Sequence, residues 1–143
     1  VGEVNGREYF FIEKTEFKSK IEKDGFLEYS EHFENCYGTP KDFVLENLKS
    51  KDVLLEIDVN GGLDVKKSFP AAVLIMLTPP SKEEVRNRLM KRSTESIEKI
   101  NLRMQRMDYE LEKKDLYDYE VVNDNLEDAI IKVENIIKNE KVR

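Results

Sequence analysis

Apolar residues and their alternation with polar ones divide this chain into short strands and amphipathic helices. Residues 53–58 read Val-Leu-Leu-Glu-Ile-Asp and lead into Val-Asn-Gly-Gly. Nearly continuous apolar runs of this length are typical of strands that are buried on both faces of a parallel sheet. We therefore predict a buried strand at 53–58. Glu56 and Asp58 lie near its carboxyl end, where open α/β sheets bind ligands, and two acids are costly to bury without a function.

From residue 53 onward the predicted strands alternate with predicted helices. Further strands are expected at 73–77 and 119–123. The intervening segments have helical spacing, with a break at 93–96, and predict helices at 63–68, 82–92 and 97–111. Ser81 opens a capping box before the helix at 82–92, and a cap formed by Asp124 and Glu127 predicts a last helix. Alternation of this kind predicts an α/β fold with a parallel sheet covered by helices.

The first 50 residues have a different pattern, with short aromatic segments separated by polar turns. They predict a strand at 9–12, a helix at 16–23 with Thr15 as its N-cap, two strands at 26–30 and 35–39, and a helix at 40–49. We interpret residues 1–40 as a small mixed β subdomain attached to a core formed by residues 41–143.

Composition narrows the class of protein. The chain has 143 residues and a net charge of −6, which argues against a nucleic-acid groove as its main function. No apolar run approaches the length of a membrane span. Cys36 is the single cysteine, so no intramolecular disulfide can form and a reducing cytoplasm is expected.

Four groups of side chains could carry chemistry. Glu28 lies among aromatic residues, although a lone strand acid is more often simply exposed. Residues 35–40 place a phenol and a hydroxyl on a tight turn, for which turn chemistry and a packed tyrosine are the alternative. Glu56 and Asp58 are harder to explain structurally, because the flanking apolar residues imply burial. The fourth group is a set of arginines near the break at 93–96, most of them expected on solvated helix faces: Arg86, Arg88, Arg92, Arg103 and Arg106.

Taken together, and in this order, these segments resemble the guanylate kinase family of nucleoside monophosphate kinases. The resemblance covers essentially the whole chain and is carried by residues 2–6, 9–11, 26–29, 35–40, 53–61, 79–81 and 121–124. It implies a P-loop-kinase-type parallel sheet flanked by helices. It also implies that residues 1–40 form a GMP-binding insert and that residues 82–111 form a helical lid.

The resemblance implies ATP-dependent phosphorylation of GMP to GDP. Glu28 matches the acid that reads guanine, and Thr39 can donate to guanine O6. Asp58 matches a second acid on the guanine side. Tyr9 and Tyr37 match phenols that hydrogen-bond the GMP phosphate.

Further residues match the ATP side of the family. Arg92 and Arg103 resemble lid arginines that stabilise charge during transfer, and Glu56 resembles an acid near the magnesium and phosphates. Asn123 and Asp124 match positions where the adenine of ATP packs. Mg²⁺ is implied as a companion of ATP, without a metal site made of protein ligands alone.

The chain departs from the family pattern at a few positions. Lys91 and Ser93 replace glycines beside a lid arginine, and Cys36 replaces one of two paired tyrosines. No G-x-x-x-x-G-K-[ST] segment occurs in these residues, so we expect the 143 residues alone not to transfer phosphoryl groups at an enzymatic rate. The alternative is a guanylate-kinase-like protein-interaction module without catalysis. GMP and ATP are the expected ligands, and the oligomeric state is left open.

Overall fold

The structure is a computed structural model that describes residues 5–6, 9–32, 35–91 and 96–141, apart from the side chain of His32. The chain forms two compact units, residues 1–70 and residues 71–143. No helix in the described ranges has both the length and the apolar character that a membrane span requires. The predicted division at residue 40, and the lid at 82–111, stay predictions.

The first unit is built on an antiparallel hairpin with helices around it. Its elements are α1 (Lys14–Glu22), β1 (Phe26–His32), β2 (Asn35–Pro40), α2 (Lys41–Leu48) and α3 (Val59–Ser68). The two strands pair antiparallel, as the sequence predicts.

The core of the first unit lies between α1, the hairpin, α2 and α3. The ring centroids of Phe17 in α1 and Phe26 in β1 are 4.6 Å apart. Leu27, Val44 and Val65 are buried with them. Helix α3 packs against β1, which brings the first turn of α3 close to the strand that carries the predicted guanine-reading acid.

Helix α1 differs from its prediction at both ends. It starts at Lys14 after Glu13, which makes no side-chain cap, so Thr15 is inside the helix and is not the N-cap. After the helix, Asp24 adopts the left-handed conformation, with φ of 54°. The following Gly25 N–H donates to the carbonyl oxygen of Lys20 over 2.8 Å.

Two predicted strands of the first unit are absent from the described residues. No ladder there includes residues 53–58, and Leu54 is 79% exposed. Residues 10–12 are also irregular, and the Phe11 N–H donates to the side-chain oxygen of Asn5 over 2.8 Å. These predictions were wrong because an apolar run becomes a strand only where a neighbouring strand takes its backbone hydrogen bonds.

The second unit contains the parallel strands. Its elements are β3 (Ile75–Thr78), α4 (Lys82–Lys91), α5 (Ile97–Leu111), a 3₁₀ turn (Lys114–Leu116), β4 (Tyr119–Val122) and α6 (Leu126–Lys141). Strands β3 and β4 run parallel, with Ile75 opposite Tyr119 and Thr78 opposite Val122. The parallel pairing and the surrounding helices confirm the α/β prediction for this unit, and its core includes Leu74, Met76, Ile100, Val121 and Ala129.

Helix starts in the second unit follow their capping residues. The hydroxyl of Ser81 accepts the Glu84 N–H over 3.1 Å at the start of α4, as its capping sequence predicts. At α6 the cap is Asn125, whose side-chain oxygen accepts the Asp128 N–H over 3.1 Å. The prediction of Asp124 as that cap was therefore wrong by one residue.

Candidate functional site

Three of the predicted guanine-side residues lie together in the first unit. Glu28 is on β1, Thr39 is its partner on β2, and Asp58 immediately precedes α3. The Thr39 hydroxyl donates to Oε1 of Glu28 over 2.6 Å. The site is therefore assembled by one strand pair and one helix start.

A one-residue irregularity in the hairpin decides which residue faces Glu28. Phe26 pairs with Pro40, but Glu28 pairs with Thr39, so Leu27 is an extra residue on β1. Without this bulge Glu28 would face Gly38. Bulges re-aim side chains in this way and are frequent beside functional sites.

Asp58 has a structural function that the sequence analysis did not assign. Its carboxylate accepts the Gly61 N–H over 2.8 Å and its carbonyl oxygen accepts the Gly62 N–H over 2.9 Å. Asp58 is thus the N-cap of α3, which begins at Val59 rather than near Leu63 as predicted. Gly61 and Gly62 therefore lie inside the first helical turn. Their N–H groups have no acceptor within the helix, and Asp58 supplies one to each.

The first turn of α3 also approaches Glu28. A Cβ atom placed on Gly61 would lie 3.0 Å from Oε2 of Glu28 and 3.4 Å from Oδ1 of Asp58. Both carboxylates therefore converge on the same glycine at a helix N-terminus, where amide dipoles favour negative charge.

The two predicted phosphate-binding phenols also lie together. The rings of Tyr9 and Tyr37 meet edge to face with centroids 5.7 Å apart, and each side chain is almost half exposed. Tyr37 is two residues from Thr39 on β2, and alternate residues of a strand point to the same face. The five predicted GMP-side residues therefore form two neighbouring groups in the first unit, the three guanine-side residues and the two phenols.

The predicted catalytic residues are distributed over both units of the chain. Glu56 is exposed on the irregular segment 53–58, and Arg103 is exposed on α5 in the second unit. Arg92 lies outside the described residues. The structure therefore leaves the roles of these three residues as predictions.

The two predicted adenine-side residues follow β4 in the second unit. The Asn123 N–H donates to the carbonyl oxygen of Thr78 over 2.7 Å, which extends the pairing of β3 and β4 by one bond. Asp124 is the next residue and is exposed. Both lie at the carboxyl ends of the parallel strands, the edge where α/β sheets bind ligands.

Two features of the site went unrecognised in the sequence, although each has a signal there. Phe26 and Leu27 are consecutive apolar residues ahead of the polar Glu28, a break in strand alternation of the kind that a bulge produces. Asp58 stands three residues before Gly61, which is the spacing between an N-cap side chain and the amide it accepts.

Comparisons with known proteins agree on one family. The family model described as "Guanylate kinase" matches residues 1–140. A guanylate kinase of Caldanaerobacter subterraneus is 49% identical over 99% of this chain and 69% of its own length. One from Clostridium tetani is 45% identical, with the same two coverages.

A solved structure gives the same result at the level of the fold. The crystal structure of guanylate kinase from Anaplasma phagocytophilum matches with a TM-score of 0.78 and 28% identity, over 99% of this chain and 70% of that one. This match confirms the α/β prediction, and the family match confirms the resemblance read from the motifs. The chain belongs to the guanylate kinase family.

Proposed function

We propose that the active protein containing these residues is a guanylate kinase, which transfers a phosphoryl group from ATP to GMP, and that Glu28, Thr39 and Asp58 form its guanine site. The hydrogen bond between Thr39 and Glu28 carries the proposal, because it puts an acceptor and a donor side by side. Family membership supports the reaction itself.

Guanine has an edge that suits these groups. Its N1–H and N2 amine are donors, and the carboxylate of Glu28 has acceptor capacity for both. Its O6 is an acceptor, for which the Thr39 hydroxyl supplies a proton, and Asp58 is a second carboxylate on this side. Adenine presents the opposite polarity at N1 and at the exocyclic group, so it would leave buried polar groups without partners.

The phosphate of GMP would be bound by Tyr9 and Tyr37. Their phenol groups are hydrogen-bond donors, and the edge-to-face contact between the rings brings them side by side. Partial exposure of both side chains leaves them accessible to a ligand.

The ATP side of the proposal rests on Arg92 and Arg103 for charge stabilisation and on Asn123 and Asp124 for the adenine. Mg²⁺ would accompany ATP and neutralise phosphate charge when bound. It is commonly held by one or two carboxylates together with phosphates and water, a role for which the exposed Glu56 is suited. No group of three or more His, Cys, Asp or Glu side chains in the described ranges is arranged to hold a metal.

The relatives favour the enzyme over the interaction module. Both relatives and the solved structure reported above carry the name guanylate kinase. A cytoplasmic location completes the proposal, since Cys36 is a free thiol.

Calorimetric titration of the chain with GMP, IMP and AMP tests the guanine site. GMP should bind more tightly than AMP, because each mismatched buried polar contact costs about 1–3 kcal/mol. Glu28→Gln should lower GMP affinity roughly tenfold, because its amide N–H₂ opposes the guanine donors. The matched control is Glu31→Gln, the same change at an exposed position of the same strand. Failure of the parent chain to bind GMP, or equal GMP affinity in Glu28→Gln and the parent, would contradict the proposed site.

A further inference from the structure

Gly61 lies at the point where the two carboxylates of the proposed guanine site meet. It is buried in the first turn of α3, and its N–H is held by Asp58. The Cβ of any other residue there would lie 3.0 Å from Oε2 and 3.5 Å from Cδ of Glu28. A contact of 3.0 Å is shorter than a normal van der Waals contact between carbon and oxygen.

Backbone conformation does not account for this glycine. Gly61 is in a right-handed helix, and of the described glycines only Gly6 has a positive φ. Alanine is a better helix former than glycine at an interior position. The absence of a side chain at Gly61 is therefore explained by packing, because it leaves room for the Glu28 carboxylate between β1 and α3.

We propose that Gly61 is a positioning residue for guanine recognition, acting through Glu28. Oε1 of Glu28 accepts the Thr39 hydroxyl over 2.6 Å, and Oε2 lies in the space that a side chain on Gly61 would need, 3.0 Å from the position of its Cβ. Before the base binds, the carboxylate therefore has one orientation to offer to the two adjacent donors of guanine. The identity of the base in this inference rests on the proposed function. The packing of Gly61 against Glu28 is independent of that function.

Other glycines of the first unit make contacts of a different kind. A Cβ on Gly25 would meet the backbone carbonyl oxygen of Lys20 at 3.0 Å, and one on Gly38 would meet the ring of Phe26 at 2.9 Å. Backbone and packed rings cannot move aside cheaply, whereas the end of a glutamate side chain can rotate. A methyl group on Gly61 should therefore displace the Glu28 carboxylate and leave the fold intact.

Gly61→Ala tests this inference through base selectivity. IMP keeps the N1–H and O6 of guanine but lacks the N2 amine, so it makes fewer contacts with Glu28. In Gly61→Ala we expect GMP affinity to fall roughly tenfold and IMP affinity to fall less, which narrows the GMP-to-IMP ratio. The control is Gly25→Ala, which should lower Tm without changing that ratio. An unchanged ratio in Gly61→Ala would overturn the inference.

A thermal double-mutant cycle tests the same contact without nucleotide. In a Glu28→Ala background the new methyl group no longer meets the Glu28 carboxylate, so Gly61→Ala should raise Tm, by at most about 2–4 °C because Gly61 lies in the first helical turn. In the parent background the same change should raise Tm less or lower it. Additive Tm changes would show that the two residues do not interact and would overturn the inference. If the parent does not bind GMP, the proposed function fails by itself and this cycle still decides the positioning.

Discussion

The hydroxyl of Thr39 donates its proton to Oε1 of Glu28 across the hairpin, over 2.6 Å. A hydroxyl has only one proton to donate, so donation to guanine O6 requires an exchange of partners. The N–H groups of guanine would replace the Thr39 proton at Glu28, and that proton would turn to O6. The hydrogen bond between the two side chains thus keeps both groups oriented toward one base edge.

This exchange makes Thr39→Val a test of the O6 contact. Valine has a similar shape but no hydroxyl, so O6 would lose its donor, at a cost of about 1–3 kcal/mol. GMP and IMP both carry O6, so calorimetry should show equal factors of loss for the two nucleotides, and Thr39→Ser should retain most of the affinity. A loss confined to GMP would place Thr39 elsewhere on the base.

Gly38→Ala should destabilise the first unit. Its new methyl group would lie 2.9 Å from Cδ1 of Phe26 and 3.1 Å from Cβ of Tyr29. Overpacking of this kind costs about 1–3 kcal/mol, measurable as a lower urea midpoint. Asn35→Ala, at an exposed position of the same strand, is the control and should stay within about 0.5 kcal/mol of the parent. Unchanged stability of Gly38→Ala would mean that the hairpin can open at Phe26.

Arg103→Ala should affect turnover far more than GMP binding. If Arg103 stabilises charge on the transferring phosphoryl group, its loss should lower kcat by roughly 10²-fold with little change in GMP affinity. The assay measures ADP release in an active protein that contains these residues. Arg88→Ala removes an exposed arginine paired with Glu84 on α4 and should leave turnover near the parent value. Equal losses of turnover and of GMP affinity in Arg103→Ala would contradict the assigned role.

The start of α5 should show a pH-dependent contact. The backbone N–H of Glu98, and then the hydroxyl of Ser96, hold the pKa of the Glu98 carboxyl below its ordinary value. Because the folded pKa is depressed, the stabilisation is present at neutral pH and is lost as pH falls through the folded pKa. In Ser96→Ala, NMR titration should show a higher Glu98 pKa. Ser81→Ala, at the N-cap of α4, should leave it unchanged, and an unaltered Glu98 pKa in Ser96→Ala would contradict this account.

The sequence by itself determined the hairpin and most of the helices. Strands β1 and β2, and helices α4 and α5, follow patterns that repeat within a few residues. Ser81 caps α4 as predicted because an N-cap depends only on a residue and the amides just after it. The motifs at Glu28, Thr39 and Asp58 also indicated the family, which the comparisons confirm.

Tertiary structure decided how those residues meet. The apolar run at 53–58 predicted a strand, but a ladder needs a neighbour that no local pattern reveals. The bulge at Leu27 turns Glu28 toward Thr39, and the packing of α3 on β1 brings Gly61 against the same carboxylate. Periodicity shows which face of an element is buried. The register of two strands and the approach of a helix depend on contacts between residues far apart in the chain, and those contacts form the site.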